Sequence, residues 1–180
     1  MPNDTTTQVS PRVYVADLSA YNNGRLHGIW IELNEDSTEE TVQEQIQQML
    51  KTSPESGAEE YAFHDYDGFA GYSEEYTSIE SLLELAKGIR EHGEIFSLYM
   101  QHTGLDTEEA SKNFEEAYAG EWNSQNAFGE NLFEELGYET QIPEHLRNYI
   151  DTESWTRDLF LSGDYFSVLC EGATHVFRSL

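Results

Sequence analysis

Leu26-His27-Gly28-Ile29-Trp30-Ile31-Glu32-Leu33, followed after three polar residues by Ser37-Thr38-Glu39-Glu40-Thr41-Val42, is the stretch that decides the fold. Its first half alternates with period two: His27, Ile29, Ile31 and Leu33 share one face of a strand, and Gly28, Trp30 and Glu32 share the other. In its second half Ser37-Thr38-Glu39-Glu40 fits a capping box. Val42, Ile46, Met49 and Leu50 then recur at i, i+4, i+7 and i+8, the apolar stripe of a helix that stops near Ser53-Pro54. A strand that feeds an amphipathic helix within so few residues predicts an α+β chain.

Working outward, Arg12 to Leu18 reads as a partner strand, joined to the first through the Tyr21-Asn22-Asn23-Gly24 turn. Glu60 to Asp65 reads as a third strand, with a loop at Asp67 to Gly71, and Met1 to Pro11 as a loose polar arm. The middle third is helical. Thr77-Ser78-Ile79-Glu80 forms a second capping box ahead of a stripe of Ile79, Leu82, Leu83 and Ala86, and Ile95, Leu98 and Tyr99 suit a further short helix. Asp106 caps another, with Ala110, Phe114, Ala117 and Tyr118 as its stripe. In the last third a helix runs from Asn123 to Leu136 and ends at Gly137, although Gly129 weakens it. Asp151 caps a helix carrying Trp155 and Leu159, and Tyr165 to Cys170 pairs with Thr174 to Phe177 across Glu171-Gly172-Ala173.

Composition removes most function classes. The 180 residues carry 35 Asp and Glu against 9 Lys and Arg, a formal charge of −26, so the surface repels nucleic acid and direct nucleic-acid binding is not expected. With 38% hydrophobic and 13% aromatic residues the chain nevertheless folds. No apolar run approaches the roughly 18 to 20 residues of a membrane span. The opening residues lack a basic and an apolar signal region, so the expectation is a soluble cytoplasmic protein with no membrane partner. The lone Cys170 excludes an internal disulfide and reads as a small buried residue.

The six histidines make no HExxH pair or zinc spacing. A calcium loop opening at Asp65 and Asp67 fails because Phe69, Ala70 and Tyr76 stand where it needs Asp or Asn, Gly and Glu. No phosphate loop or nucleophile elbow occurs, so neither an enzyme nor a bound metal or cofactor is expected.

The acids themselves are the remaining signal. Between Glu32 and Glu135 stand 26 acids and 4 bases. Glu80 and Glu84 lie one helical turn apart, Glu91 lies two turns further on, and Glu108 with Glu115 and Glu109 with Glu116 repeat at i, i+7. Duplex DNA carries one charge per roughly 1.7 Å of axis, so the whole chain's net charge of −26 matches roughly 44 Å of duplex, or about 13 base pairs. Three readings fit: a surface that imitates a phosphate backbone, a halophilic surface kept hydrated by its acids, or an undistinguished acidic domain.

Particular residues favour the first. Arg12-Val13-Tyr14-Val15-Ala16, with Tyr21-Asn22-Asn23-Gly24-Arg25-Leu26-His27-Gly28-Ile29-Trp30, resembles the opening of the ArdA antirestriction proteins. So do Glu59 to Tyr66, Asn148-Tyr149-Ile150-Asp151 with Arg157-Asp158-Leu159, and Ser162-Gly163-Asp164-Tyr165-Phe166, all in the family's order. The resemblance implies an inhibitor carried by mobile DNA that imitates duplex DNA and occupies the DNA-binding groove of type I restriction-modification enzymes, on their methyltransferase core. It also implies an elongated chain of three small domains and a homodimer joined through the C-terminal one. On this sequence the divisions are an arm at 1–11, an N-terminal α+β domain at 12–76, a central helical domain at 77–116 and a C-terminal α+β domain at 117–180.

The phosphate surrogates are then Glu74, Glu75, Glu80, Glu84, Glu91, Glu108, Glu109, Glu115 and Glu116. Glu130, Glu134 and Glu135 join them in the Asn126 to Tyr138 segment, where the family has its antirestriction motif. Leu132, Phe133 and Leu136 suit either the C-terminal core or a dimer seam. Tyr14, Trp30, Phe63, Tyr66, Tyr149 and Trp155 read as core. A general acidic mimic of histone-like or transcription proteins is the rival.

Overall fold

Val13 and Val15, both fully buried, set the inner face of strand β1 (Arg12–Asp17) and with it the first layer of the fold. The computed structural model describes residues 10–72 and 78–180, so most of the arm expected at 1–11, and Glu74 and Glu75, lie outside the described residues. Two compact units divide the chain, Met1–Ser111 and Lys112–Leu180.

In the first unit, β1 is the central strand of an antiparallel sheet. It pairs with β2 (Gly28–Glu32) on one side and β3 (Tyr61–Asp67) on the other, with a register shift against β3 at Tyr14/Val15. The inner residues Val13, Val15, Ile31, Leu33 and Phe63 are buried together with Val42, Ile46, Met49 and Leu50 of helix α2 (Glu39–Lys51), as the two periodicities require. The cap of α2 is one residue later than read. Thr38 is the N-cap, its hydroxyl accepts from the Thr41 amide, and the Thr41 hydroxyl in turn accepts from the Thr38 amide at 2.9 Å. Trp30 is a correction to the core reading: it is 42% exposed on the open face, with the Arg12 guanidinium 5.0 Å over its ring and Tyr14 against it.

Between β1 and β2 lies a helical turn, α1 (Leu18–Asn22), which the sequence disguises because a single turn shows no periodicity. Asp17 caps it from a fully buried position. Its Oδ1 accepts from the amides of Ser19 (2.9 Å) and Ala20 (3.2 Å), and the Ser53 hydroxyl donates to Oδ2, tying the end of β1 to the exit of α2. Burial pushes the Asp17 carboxyl up, but the Ser53 hydroxyl and the Ala20 and Ser19 amides outweigh it and hold the group below its ordinary 3.8.

From Ile79 onward the unit is built of helices: α3 (Ile79–His92), α4 (Glu94–Thr103) and the opening of α5 (Thr107–Ala117). The buried stripe of α3 is Ile79, Leu82, Leu85, Ala86 and Ile89, so Leu85 replaces the expected Leu83. Gly88 lies under the Phe96 ring, where a Cβ would come within 2.3 Å of it, so α3 and α4 approach closely only because that residue has no side chain.

The second unit is built on an antiparallel sheet in the order β4-β6-β5, from β4 (Tyr118–Trp122), β5 (Tyr165–Cys170) and β6 (Ala173–Arg178). The expected C-terminal hairpin is present, with a two-residue turn of Glu171 and Gly172, both at positive φ. Tyr118, expected at the end of a helical stripe, instead opens β4, where its ring packs on Phe114 and Phe177. Between β4 and β5 run α6 (Gln125–Glu135), two short helices α7 (Tyr138–Gln141) and α8 (Glu144–Arg147), and α9 (Thr152–Leu161).

Phe128 joins helices to sheet through Trp122, Phe160 and Tyr165, with ring centroids 5.0–6.0 Å apart. Tyr149 is a second correction to the core reading, at 83% exposed, and Cys170 is half-buried rather than buried. Among the described residues no helix is long and apolar enough to cross a membrane.

The α6–α9 contact depends on Gly129. A Cβ there would sit 1.8 Å from Thr156 Oγ1, itself buried and bonded to the Thr152 carbonyl, so the glycine that weakens the helix pattern is the one that lets the two helices touch. Gly129→Ala is expected to destabilise the second unit by about 1–3 kcal/mol through overpacking, despite the higher helix propensity of alanine. Thermal unfolding followed by near-UV circular dichroism reads that loss, and a neutral or stabilising result rejects the close contact.

For Asp17 the lowered carboxyl contributes stability above its ordinary pKa, and the contribution fades as pH falls through that value toward the folded one. The urea midpoint of the wild type is therefore expected to exceed that of Asp17→Asn at pH 6, with the gap closing between about pH 5 and pH 2. A gap independent of pH means that shape, not charge, is what Asp17 provides.

Candidate functional site

Each helix that carries the expected surrogate carboxylates is fixed by a cap at one end and an apolar stripe along one side, which assigns the remaining side to charge. On α3 the Ser78 hydroxyl accepts from the Ser81 amide at 3.0 Å and makes Ser78 the cap, while Thr77, the expected opening of the capping box, lies outside the described residues. Glu80 and Glu91 are exposed, and Glu91 meets Lys87 at 3.9 Å. Glu84 departs from the expected exposed row: it is half-buried, and Thr107, itself buried, donates its hydroxyl to Oε2 at 3.0 Å. Glu84 thus fastens the start of α5 to α3.

On α5, Asp106 accepts from the Glu109 amide at 2.8 Å, as its spacing predicts, and Glu108, Glu109, Glu115 and Glu116 are all exposed. Glu116 meets Arg178 at 3.4 Å. On α6 the Ser124 hydroxyl accepts from the Ala127 amide, Phe128 and Gly129 are buried, and Glu130, Glu134 and Glu135 are exposed. Of the apolar residues beside them, Leu132 and Phe133 are half-buried, and Phe133 packs edge-on against Tyr138 and Trp155. Leu136 is 48% exposed.

Position along the helix sorts these acids. Glu80 stands in the first turn of α3 and Glu108 and Glu109 in the first turn of α5, where the positive end of the helix dipole favours a carboxylate. Glu115 and Glu116 stand in the last turn of α5, and Glu134 and Glu135 in the last turn of α6. Neither turn contains a base, so each of these carboxylates costs about 0.3–1 kcal/mol against the dipole. Glu116 is offset by Arg178, but for Glu134 and Glu135, which make no ion pair among the described residues, helix stability gives no reason.

The bases are mostly occupied. Arg12, Arg25, Lys87, Arg157 and Arg178 pair with Asp67, Glu55, Glu91, Asp158 and Glu116, while Arg90 and Arg147 donate to the carbonyls of Leu33 and Ile142. The first unit keeps 22 acids against 5 bases, and the second 13 against 4. Among the described residues no group of three or more His, Cys, Asp or Glu is placed to hold a metal ion. Three of the six histidines have packing roles: His27 bonds the Met49 carbonyl, His64 packs on Tyr21, and His175 bonds the Tyr118 hydroxyl. The chemistry open to this surface is the attraction of cations.

Sequence reasoning missed Thr107, whose part is visible only once α5 is set beside α3, and Glu139, which lies in the single-turn helix α7 where no periodicity marks it. The sequence pattern of the antirestriction protein (ArdA) family matches residues 13–172, and the chain belongs to that family. No curated protein matches it.

Replacing the two terminal carboxylates of α6 tests whether they serve something other than the fold. Glu134→Gln with Glu135→Gln is expected to raise stability by a few tenths to about 1 kcal/mol at low salt, and to shrink the rise in melting temperature that salt gives the wild type. Differential scanning calorimetry between 20 mM and about 500 mM NaCl checks both. A loss of stability means that the pair has a structural partner.

Proposed function

We propose that this antirestriction protein is a DNA mimic that occupies the DNA-binding groove of a type I restriction-modification enzyme, on its methyltransferase core, and inhibits by binding, with no bond made or broken. The observation that carries the reading is the set of exposed carboxylates, with Glu134 and Glu135 kept at a helix end that disfavours them, in a chain of net charge −26 whose bases are mostly engaged with its own groups. A groove lined with Lys and Arg to neutralise phosphates meets anions at helical spacing instead, and counterions leave both surfaces. Family membership supplies the restriction-modification enzyme as the class of partner.

The reading extends to three small domains, working in the cytoplasm of a cell that has received mobile DNA, and to a homodimer joined through the C-terminal domain. Support for the dimer comes from the second unit, which holds eight of the eleven large apolar residues found exposed among those described, including Tyr149, Leu161 and Leu169. An apolar surface of this kind in so acidic a chain suits a second copy. Leu136 is a candidate for the seam, while Leu132 and Phe133 lie partly inside the unit.

Competition binding is the test: a fluorescent duplex held by a purified type I methyltransferase core is titrated with the protein across a salt series, with a basic histone-like protein as control. Displacement near stoichiometry, weakening as salt rises and sparing the control, is expected. Because the field is summed, single Glu→Gln changes are expected to shift the midpoint less than about threefold, and reversal of Glu109, Glu115, Glu130, Glu134 and Glu135 together by more than about a hundredfold. Equal displacement from the control turns the reading toward a general acidic mimic of histone-like or transcription proteins.

A further inference from the structure

The second unit has a small concavity, about 170 Å³, beside α6. Small-molecule sites run to roughly 300–1,000 Å³, so the space suits one side chain rather than a nucleotide or a cofactor. Phe133, Ile142 and Ile150 supply its apolar wall, and Glu130, Glu134 and Glu139 bring three exposed carboxylates to it. None of these three makes an ion pair or a side-chain hydrogen bond among the described residues. Arg147 is the one base on the described lining, and its Nε donates to the Ile142 carbonyl at 3.2 Å, so the lining carries three negative charges against one positive.

We propose that this concavity is an anchor pocket for a single arginine side chain of the bound enzyme, a reading that rests on the mimicry proposed above and gives it one localised contact. Shape and charge name the occupant. An aliphatic stem takes the Phe133, Ile142 and Ile150 wall, as long cationic side chains do on apolar surface. The planar guanidinium carries five donors and can serve more than one carboxylate at once, which a compact ammonium does less well. A carboxylate or phosphate is turned away by the same three glutamates. The pocket makes binding depend on uncharged residues, which a summed field does not.

The probe is n-butylguanidinium, an arginine from its Cα outward, titrated into the full-length protein while methyl and amide NMR shifts are followed. Guanidinium chloride serves as the control without a stem. Saturable shifts at Ile142, Ile150 and Phe133 in the millimolar range, absent with guanidinium alone, are expected. Ile150→Ser, which leaves every charge in place, is expected to weaken the probe and the methyltransferase core each by roughly tenfold, with the sedimentation coefficient unchanged.

Shifts spread evenly over the acidic helices, equal effects of guanidinium alone, or an Ile150→Ser variant that binds both as the wild type does overturn the pocket. A variant that loses its dimer while keeping the probe assigns this face to a second copy and overturns it too. If the probe saturates the pocket in a protein that fails to displace duplex from the methyltransferase core, the pocket stands and the mimicry falls. Displacement without localised shifts removes the pocket alone.

Discussion

Like-charge repulsion is the constraint under which every part of this protein folds. The first unit closes with a net charge of −17 and the second with −9, and in each the bases are far too few to neutralise the acids. What opposes the repulsion is geometric separation. Val42, Ile46, Met49 and Leu50 on α2, and Ile79, Leu82, Leu85 and Ala86 on α3, gather all their burial on one side, leaving the carboxylates in water where screening is strongest. Among the described residues the one anion taken fully inside, Asp17, is there because two amides and a hydroxyl surround it.

Close packing does for the second unit what a larger core does elsewhere. Phe128 touches Trp122, Phe160 and Tyr165, Phe177 touches Phe114, Tyr118 and Phe166, and Gly129 lets α6 lie directly on Thr156 of α9. Aromatic pairs of this kind contribute about 0.5–1.5 kcal/mol each beyond area burial. The consequence reaches the surface, because the helix held by Phe128 and Gly129 is the one that carries Glu130, Glu134 and Glu135. Under the proposed mimicry, a carboxylate has to be presented from a fixed backbone if its position is to count.

Much of this was legible beforehand, for reasons that particular residues show. The alternation from His27 to Leu33 and the stripe from Val42 to Leu50 are local periodicities, and burial followed them. Asp106, Asp151 and Gly137 signal helix ends through chemistry that acts within four residues. Where the reading slipped, the cause was a partner distant in the chain or an element too short to show a period. Tyr118 continues a helical pattern but pairs with Phe177 in the sheet, and Trp30 looks like core but forms a layer with Arg12 and Tyr14 on the open face. The single turn of α1 leaves no periodic trace at all.

By itself the sequence determined the sign and size of the charge, the α+β succession and, through its ordered blocks, the family, because each is a property of composition or of neighbours along the chain. It could not rank the glutamates. A carboxylate's role depends on the groups that reach it through space: Glu84 is a strut because Thr107 donates to it, and Glu91 and Glu116 share their charge with Lys87 and Arg178. Glu130, Glu134 and Glu139 meet around one small apolar hollow because α6, α7 and the chain near Ile150 are folded against one another. That convergence is decided by packing, since residues that share no period and no motif become neighbours only when the cores behind them close.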